Sequence, residues 1–142
     1  MKIMAVDFGD ARTGLAVCDR TEFLASPVGT VRERDAAKVV AHVANASVEY
    51  DVREIVVGLP RNMDGSEGER AQLCRQFAEN LQKLVEIPVT LWDERQTTMQ
   101  AANYLNATNV RGQKRKDVID EVAATIILES YLAFRKNSGK TE

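Results

Sequence analysis

Cysteine and histidine are scarce in this chain, and their scarcity excludes two classes of protein. Its 142 residues include two cysteines, Cys18 and Cys74, and one histidine, His42. Two thiols cannot form the disulfide framework of a small secreted domain, so a reducing compartment fits the sequence best. One histidine and two distant cysteines cannot assemble the usual zinc ligand sets either. His42 lies next to the apolar stripe of a predicted helix, and we interpret it as structural.

A long hydrophobic run is also absent. The apolar stretch near the N-terminus extends from Ile3 to Val6 and meets Asp7, which leaves it too short for a signal-peptide core or a membrane span. We therefore expect a cytoplasmic protein with no membrane partner.

An excess of positive charge is missing as well. Lys+Arg number 19 and Asp+Glu number 21, so a nucleic-acid partner would have to be attracted by a local patch. Hydrophobic residues make up 44% of the chain and charged residues 28%, which is typical of a globular protein and not of a disordered one. The length suits one domain, and we predict a single domain over residues 1–142.

The order of apolar patterns predicts an α/β fold. Runs of apolar and β-branched residues predict five strands, at Ile3–Phe8, Thr13–Cys18, Phe23–Val31, Glu54–Gly58 and Pro88–Trp92. Helical spacing predicts four helices. The first runs from Arg34 to about Glu49, and the second begins at a capping box formed by Ser66 and Glu69. The third runs from Thr97 to about Leu105, and the fourth from Asp117 to Phe134.

The connections between these elements predict the topology of the sheet. The first three strands follow one another closely and should be antiparallel, whereas helical crossovers should make the last two strands parallel. Pro27 places the third strand at an edge of the sheet, because proline cannot donate to a hydrogen-bond ladder. We therefore expect a mixed five-stranded sheet flanked by helices.

Acidic residues stand at the ends of three predicted elements. Asp7 ends the most apolar strand, where an ionised carboxylate is costly unless it is paired or bound to a cation. Asp93 and Glu94 follow the fifth strand, and ligands gather at the carboxyl ends of parallel strands. Three further acids share one face of the first turn of the last predicted helix: Asp117, Asp120 and Glu121.

Each acidic position also has a structural explanation. Asp7 could pair with Arg12 across the turn, and acids at a helix N-terminus complement its dipole. Together, however, the three positions resemble a cage for a hard divalent cation, Mg²⁺ or Mn²⁺. Two such ions about 4 Å apart can activate a water and stabilise the leaving oxygen, so phosphodiester hydrolysis would need no histidine base.

A basic run precedes the acids of the last helix. Residues 109–116 contain four basic side chains and no acid: Arg111, Lys114, Arg115 and Lys116. The run is either a solvated loop or a patch that holds a phosphate backbone near the cut. Trp92 could stack on a base, but its place in a strand pattern favours the core.

Four motifs occur in order along nearly the whole chain. They are the segment from Asp7 to Ala16, the segment from Val56 to Gly65, the triplet Asp93-Glu94-Arg95 with Thr97 and Thr98, and the segment from Asp120 to Leu132. In sequence and spacing these motifs resemble the YqgF family of small bacterial proteins.

The resemblance implies an RNase H-like fold and a nuclease that matures the 5′ end of pre-16S ribosomal RNA, with an older proposal of a Holliday junction resolvase. It implies that Asp7, Glu94 and Asp120 are the catalytic and metal-binding acids. Arg12 matches the arginine of the glycine turn, and we expect it to bind nucleic acid together with Arg95 and the basic run.

One position departs from the wider RNase H-like pattern. The fourth strand ends in Gly58, Leu59 and Pro60 where that pattern has an acid, so the second carboxylate must come from the fifth strand. Strand alternation sends Asp93 and Glu94 to opposite faces, and periodicity alone leaves open which of them reaches the cage. The resemblance and the longer side chain favour Glu94.

Asp93 then has a different expected role. It should hydrogen-bond backbone amides at the start of the next helix, near Thr97 and Thr98.

Three other functions stay open at this point. A junction resolvase would need a dimer to cut two strands symmetrically, and nothing in the sequence announces one. The segment from Asp7 to Gly14 also resembles the first phosphate loop of actin-like and sugar-kinase nucleotide binders, which need two such domains. A non-catalytic RNA-binding assembly factor is the third alternative, because the fourth-strand acid is missing.

The basic run yields a prediction about affinity. Neutralising Lys114, Arg115 and Lys116 together should weaken nucleic-acid binding for all sequences, because phosphate contacts carry little base information. The slope of log affinity against log salt should flatten by roughly 0.7 to 0.9 for each phosphate that the protein no longer neutralises. Titrations at several salt concentrations measure this slope, and an unchanged slope would identify the run as solvated surface only.

Overall fold

Five strands form one mixed sheet. The computed structural model describes residues 1–96 and 112–138. Its strands are β1 (Ile3–Asp7), β2 (Arg12–Cys18), β3 (Ala25–Arg32), β4 (Glu54–Leu59) and β5 (Val89–Asp93). The strand order is β3-β2-β1-β4-β5, with antiparallel pairing of β1 with β2 and of β2 with β3. β4 pairs in parallel with both β1 and β5, which confirms the predicted topology.

Helices cover both faces of this sheet. They are α1 (Ala36–Glu49), α2 (Glu69–Leu84) and α3 (Gly112–Asn137). Met4 and Val6 of β1 are buried with side chains of α1 and α2, whereas Ile3 and Ala5 are buried with side chains of α3. Successive side chains of a strand point to opposite faces, so a central strand covered on both sides has to be apolar throughout. None of the described helices has the length and apolar character needed to cross a bilayer.

The third strand lies where its proline places it. β3 is an edge strand that pairs only with β2 among the described residues, and it contains Pro27. The strand begins at Ala25, two residues later than predicted, because Phe23 and Leu24 belong to the connection from β2 and are exposed.

The capping box predicted for α2 is wrong. The N-cap residue is Gly68, and no side chain caps this end of the helix. The backbone N–H and the hydroxyl of Ser66 instead donate to Asp64, at 2.9 and 2.6 Å. The hydroxyl of Ser66 is therefore used in a turn closed by the side chain of Asp64, and it does not cap α2.

The last helix begins earlier than its acidic residues predict. It starts at Gly112 and ends at Asn137, so Asp117, Asp120 and Glu121 do not lie in its first turn. The basic residues Lys114, Arg115 and Lys116 are helical and not part of a loop. Glutamine, lysine and arginine are good helix formers, which allows the helix to extend through them. The predicted helix Thr97–Leu105 and Arg111 lie outside the described residues.

A buried polar network attaches α3 to the sheet. Glu54, at the start of β4, accepts hydrogen bonds from the hydroxyls of Thr90 and Tyr131 at 2.8 and 2.5 Å. The guanidinium of Arg135 lies 3.8 Å from Glu54 and donates to Glu22 at 2.7 Å. Burial, followed by the bond to Glu54, raises the pKa of Tyr131 to about 12. Buried charges need partners of this kind, so the C-terminal half of α3 is held in one position.

Candidate functional site

The candidate site lies at the carboxyl ends of the three parallel strands. Asp7 ends β1, and Asp93 ends β5. Glu94 follows in a single turn of 3₁₀ helix at Glu94–Gln96. β1, β4 and β5 run in the same direction, so their carboxyl ends share one edge of the sheet.

Asp7 is the electrostatic centre of this edge. Burial is the main reason that its pKa lies well above the ordinary value, and the charges of Glu94 and Asp120 raise it further. Glu94 lies close enough to Asp7 for the two carboxyl groups to interact, and burial raises the pKa of Glu94 as well. Two desolvated carboxylates repel one another, so this position favours the loss of one charge or the binding of a cation.

Gly58 provides the space that Glu94 occupies. A Cβ at this position would lie 2.8 Å from Cδ and 2.9 Å from Cγ of Glu94, and 2.7 Å from Cδ1 of Ile127. The side chain of Glu94 therefore crosses directly over the β4 backbone toward Asp7. Gly58 stands where the wider RNase H-like pattern has an acid, and its lack of a side chain makes room for Glu94, which follows the fifth strand.

Arg12 forms its ion pair with Asp120 and not with Asp7. Its Nε donates to Asp120 at 2.9 Å, which links β2 to α3 at the edge that carries the carboxylates. The turn before Arg12 requires Gly9, because a Cβ there would lie 2.2 Å from the backbone oxygen of Arg12. The arginine predicted to bind nucleic acid thus holds the third predicted carboxylate.

The structure separates the roles of Asp93 and Glu94. Glu94 reaches Asp7, whereas Asp93 accepts the backbone N–H of Arg95 at 3.0 Å and the guanidinium of Arg95 at 2.6 Å. These bonds, led by the one from the Arg95 side chain, lower the pKa of Asp93. The backbone N–H that donates to Asp93 belongs to Arg95 in the 3₁₀ turn. The predicted bonds near Thr97 and Thr98 lie outside the described residues.

Arg70 is a residue that the sequence pattern did not indicate. It is the second residue of α2, and its Nη2 donates to the backbone oxygen of Phe8 at 2.7 Å. Its positive charge lowers the pKa of both Asp7 and Glu94. A position 63 residues along the chain from Asp7 carries no local signal of this proximity, because only the packing of α2 against the sheet brings the two together.

Two further residues stand away from the carboxylates. Trp92 packs against Tyr131 and Phe134, with its Nε1 donating to Ser130 at 3.1 Å, so it belongs to the α3 side of the sheet. His42 lies on α1, as predicted, and is exposed. The side chains of Lys114, Arg115 and Lys116 lie outside the described part of the molecule, so their contacts with nucleic acid stay predictions.

The carboxylate oxygens fit a hard cation in their chemistry but not yet in their arrangement. Among the described side chains, no three from His, Cys, Asp and Glu are grouped so that they could hold one ion as they stand. Asp7 and Glu94 place two carboxyl groups where a divalent cation would compensate their charges, and Asp120 is paired with Arg12. A change of partner at Asp120 would complete a three-carboxylate set for Mg²⁺ or Mn²⁺.

Comparison with known proteins gives consistent matches over the whole chain. A family model described as RuvX, Holliday junction resolvase, matches residues 1–134. A protein of Caldanaerobacter subterraneus is 40% identical over 139 residues, 97% of this chain and 100% of the relative, and is named "Putative pre-16S rRNA nuclease". A Streptomyces avermitilis protein of the same name is 44% identical over 138 residues, covering 96% of this chain and 88% of the relative.

Solved structures show the same fold at much lower identity. The RuvC structure of Thermus thermophilus has a TM-score of 0.61 and 13% identity, covering 100% of this chain and 99% of that one. The architecture is therefore RNase H-like, as the YqgF resemblance implies, and the matches confirm that resemblance.

The close approach of Gly58 and Glu94 yields a prediction. Gly58→Ala should displace the Glu94 side chain and reduce metal-dependent nucleic-acid cleavage at least tenfold. The free energy of unfolding should fall by about 1–3 kcal/mol, because the displaced atoms are the ends of flexible side chains. Gly68→Ala is the matched control, since a Cβ there meets nothing within 4 Å. Wild-type cleavage by Gly58→Ala would contradict this placement of Glu94.

The division of roles at the end of β5 yields another prediction. Glu94→Gln should abolish metal-dependent cleavage, because it removes a ligand charge without changing the volume of the side chain. Asp93→Asn should mainly lower the melting temperature, because the ion pair with Arg95 holds the turn. Parallel cleavage assays and thermal unfolding compare the two, and activity loss confined to Asp93→Asn would reverse the assignment.

Proposed function

This chain belongs to the RuvX family, and from that premise we propose that it is a metal-dependent nuclease acting in 5′-end processing of pre-16S ribosomal RNA. The observation that carries the proposal is the meeting of Asp7 and Glu94 at the carboxyl end of the sheet, with Asp120 near enough for its charge to raise the pKa of Asp7. The relatives named for pre-16S ribosomal RNA cover nearly the whole chain and support the substrate class.

The chemistry proposed for the site is hydrolysis of a phosphodiester bond. Bound Mg²⁺ or Mn²⁺, as a pair of ions, would activate the attacking water and stabilise the leaving oxygen. Asp7, Glu94 and Asp120 would hold these ions. Their oxygens are the donors that such cations prefer, and the described part of the site contains no histidine that could act as the base.

The protein side chains have two tasks before cleavage. Asp7 and Glu94 must both be ionised to hold a cation, which Arg70 favours because its charge lowers the pKa of both groups. Asp120 must exchange Arg12 for the cation, and this frees the guanidinium of Arg12 to meet a phosphate. The nucleic-acid role predicted for Arg12 and the ligand role predicted for Asp120 would thus both begin when the ion pair between these two residues separates.

A four-way DNA junction is the second candidate substrate. The description of the matching family model, Holliday junction resolvase, favours it. Junction resolution would require two copies of the chain that present their sites symmetrically. The family match favours either nuclease reaction over the nucleotide-binding alternative.

The two cysteines support a cytoplasmic location for this activity. Cys18 and Cys74 are free and buried. They belong to different hydrophobic clusters, one packed with α3 and the other with α2. Burial raises the pKa of Cys74 to about 11, so its thiol is neutral at pH 7.

One experiment tests the function and separates its alternatives. A pre-16S ribosomal RNA fragment and a four-way DNA junction are each incubated with the protein, with and without Mn²⁺. We expect Mn²⁺-dependent cleavage of the RNA. Cleavage of the junction alone would favour the resolvase, and binding without cleavage of either would favour the non-catalytic assembly factor.

Substitution of the central acid yields a further prediction. Asp7→Asn should abolish cleavage and leave nucleic-acid binding nearly intact. The raised pKa of Asp7 means that its ionised form destabilises the fold as the pH rises past the pKa of the free side chain. At pH 7 the variant should therefore melt at or above the wild-type temperature, while near pH 3 the difference should shrink. Thermal unfolding at both pH values measures this, and cleavage at the wild-type rate would refute the metal cage.

A further inference from the structure

Arg70 stands beside the candidate site with a partner that a substrate could replace. We propose that Arg70 binds a phosphate of the nucleic acid next to the carboxylates, and that Asp10 occupies its guanidinium until that phosphate displaces it. The inference rests on the proposed nuclease function and adds to it a positioning residue and a built-in competitor for substrate.

Two contacts fix the guanidinium of Arg70 at the end of β1. One is the 2.7 Å bond from Nη2 to the backbone oxygen of Phe8, the residue after Asp7. The other is with the ring of Phe8, whose centroid lies 5.1 Å from Cζ of Arg70. Phe8 is itself stacked on Phe77 of α2, with 4.3 Å between ring centroids. The cation is therefore held by the sheet and by its own helix.

The position of this cation suits a phosphate near the point of cleavage. Asp7, Glu94 and Asp120 concentrate negative charge at this edge, which repels a nucleic-acid backbone unless a cation stands close by. Arg70 is close enough to both Asp7 and Glu94 for its charge to lower the pKa of each. A phosphate on Arg70 would thus lie next to the carboxylates and not at a distant surface.

Asp10 is the carboxylate that pairs with Arg70, and it is more exposed than the carboxylates that pair with Arg12 and Arg95. Nη1 of Arg70 donates to the carboxylate of Asp10, whose side chain is 80% exposed. The carboxylate that pairs with Arg12 is 15% exposed, and the one that pairs with Arg95 is 24% exposed. Exposed ion pairs contribute little stability, whereas separating a more buried pair leaves a desolvated charge.

Carboxylate and phosphate also compete for the same donors. Each presents to the planar guanidinium two oxygens that share one negative charge, so a backbone phosphate can take the place of the carboxylate. The bond from Nη2 to Phe8 does not involve Asp10, so the guanidinium keeps its position when the carboxylate leaves.

Binding to a labelled pre-16S RNA fragment in EDTA tests the exchange without cleavage. Fluorescence anisotropy at several salt concentrations compares the wild type with Asp10→Asn, Arg70→Gln and the double variant. Lys83→Gln is the matched control, because Lys83 lies 13 residues further along the same helix, roughly 20 Å away. Thermal unfolding of each variant checks the fold, and Arg70→Met removes the charge with a side chain that can still pack on Phe8 if the glutamine variant does not fold.

We expect Asp10→Asn to tighten binding about two- to fivefold, the range that an exposed ion pair accounts for. Arg70→Gln should weaken binding about tenfold and flatten the salt slope by roughly 0.7 to 0.9. Asp10→Asn should have no effect once Arg70 is glutamine, and Lys83→Gln should match the wild type. If Arg70→Met has to stand in for a glutamine variant that does not fold, it should weaken binding and flatten the salt slope as Arg70→Gln does.

Two results would overturn the proposal. One is an unchanged affinity and salt slope for Arg70→Gln, or for Arg70→Met where that variant stands in. The other is an effect of Asp10→Asn that persists without Arg70. A wild-type protein that binds the RNA in EDTA but does not cleave it with Mn²⁺ would refute the proposed function, while the binding comparison would still decide the role of Arg70.

Discussion

The carboxyl groups of Asp7 and Glu94 meet in a desolvated position at the end of the sheet, and the surrounding elements compensate for the cost of that proximity. Like charges in a desolvated position repel, so the pair is stable only with a shared proton, a neighbouring cation or a bound metal. The fold supplies a cation in Arg70, which lies in the first turn of the 16-residue helix α2. It supplies rigidity by placing Asp7 on the central strand, with hydrogen-bonded neighbours on both sides.

The departure of β4 from the wider RNase H-like pattern has a geometric explanation. Gly58 carries no side chain at this end of β4, and Glu94 fills the volume from the turn after β5, with its Cδ 2.8 Å from the place of a Cβ on Gly58. Glycine in one strand and glutamate after the next therefore form one structural unit.

Much of this arrangement could be predicted from the sequence, and the parts that could not have separate physical causes. The strands were predictable because Ile3–Val6 and Ile55–Val57 have to be apolar on both faces, a pattern that is typical of buried parallel strands. Their parallel direction brings Asp7 and Glu94 to one edge. The predictions that failed concern the beginnings of two helices. The hydroxyl of Ser66 bonds to Asp64 and not to the amides of α2, and the basic residues before Asp117 continue a helix instead of preceding one. Arg70 was not predictable because its contact with Phe8 depends on how α2 packs, which no local pattern encodes.

The third carboxylate differs from the other two in how it is held, and this difference assigns it a distinct part in the proposed reaction. Asp7 and Glu94 come from the sheet and from the turn that directly follows it, whereas Asp120 lies on α3. The buried network of Glu54, Tyr131 and Arg135 holds that helix at residues 131–135, which lie roughly 16 to 22 Å along the helix axis from Asp120. Asp120 is thus attached to the sheet locally through Arg12, by an ion pair that a cation can replace on one side and a phosphate on the other. Two carboxylates fixed by the sheet and one exchangeable carboxylate on a helix would allow metal and nucleic acid to enter together in the proposed reaction, since Asp120 would leave Arg12 for the cation and Arg12 would then be available to a phosphate.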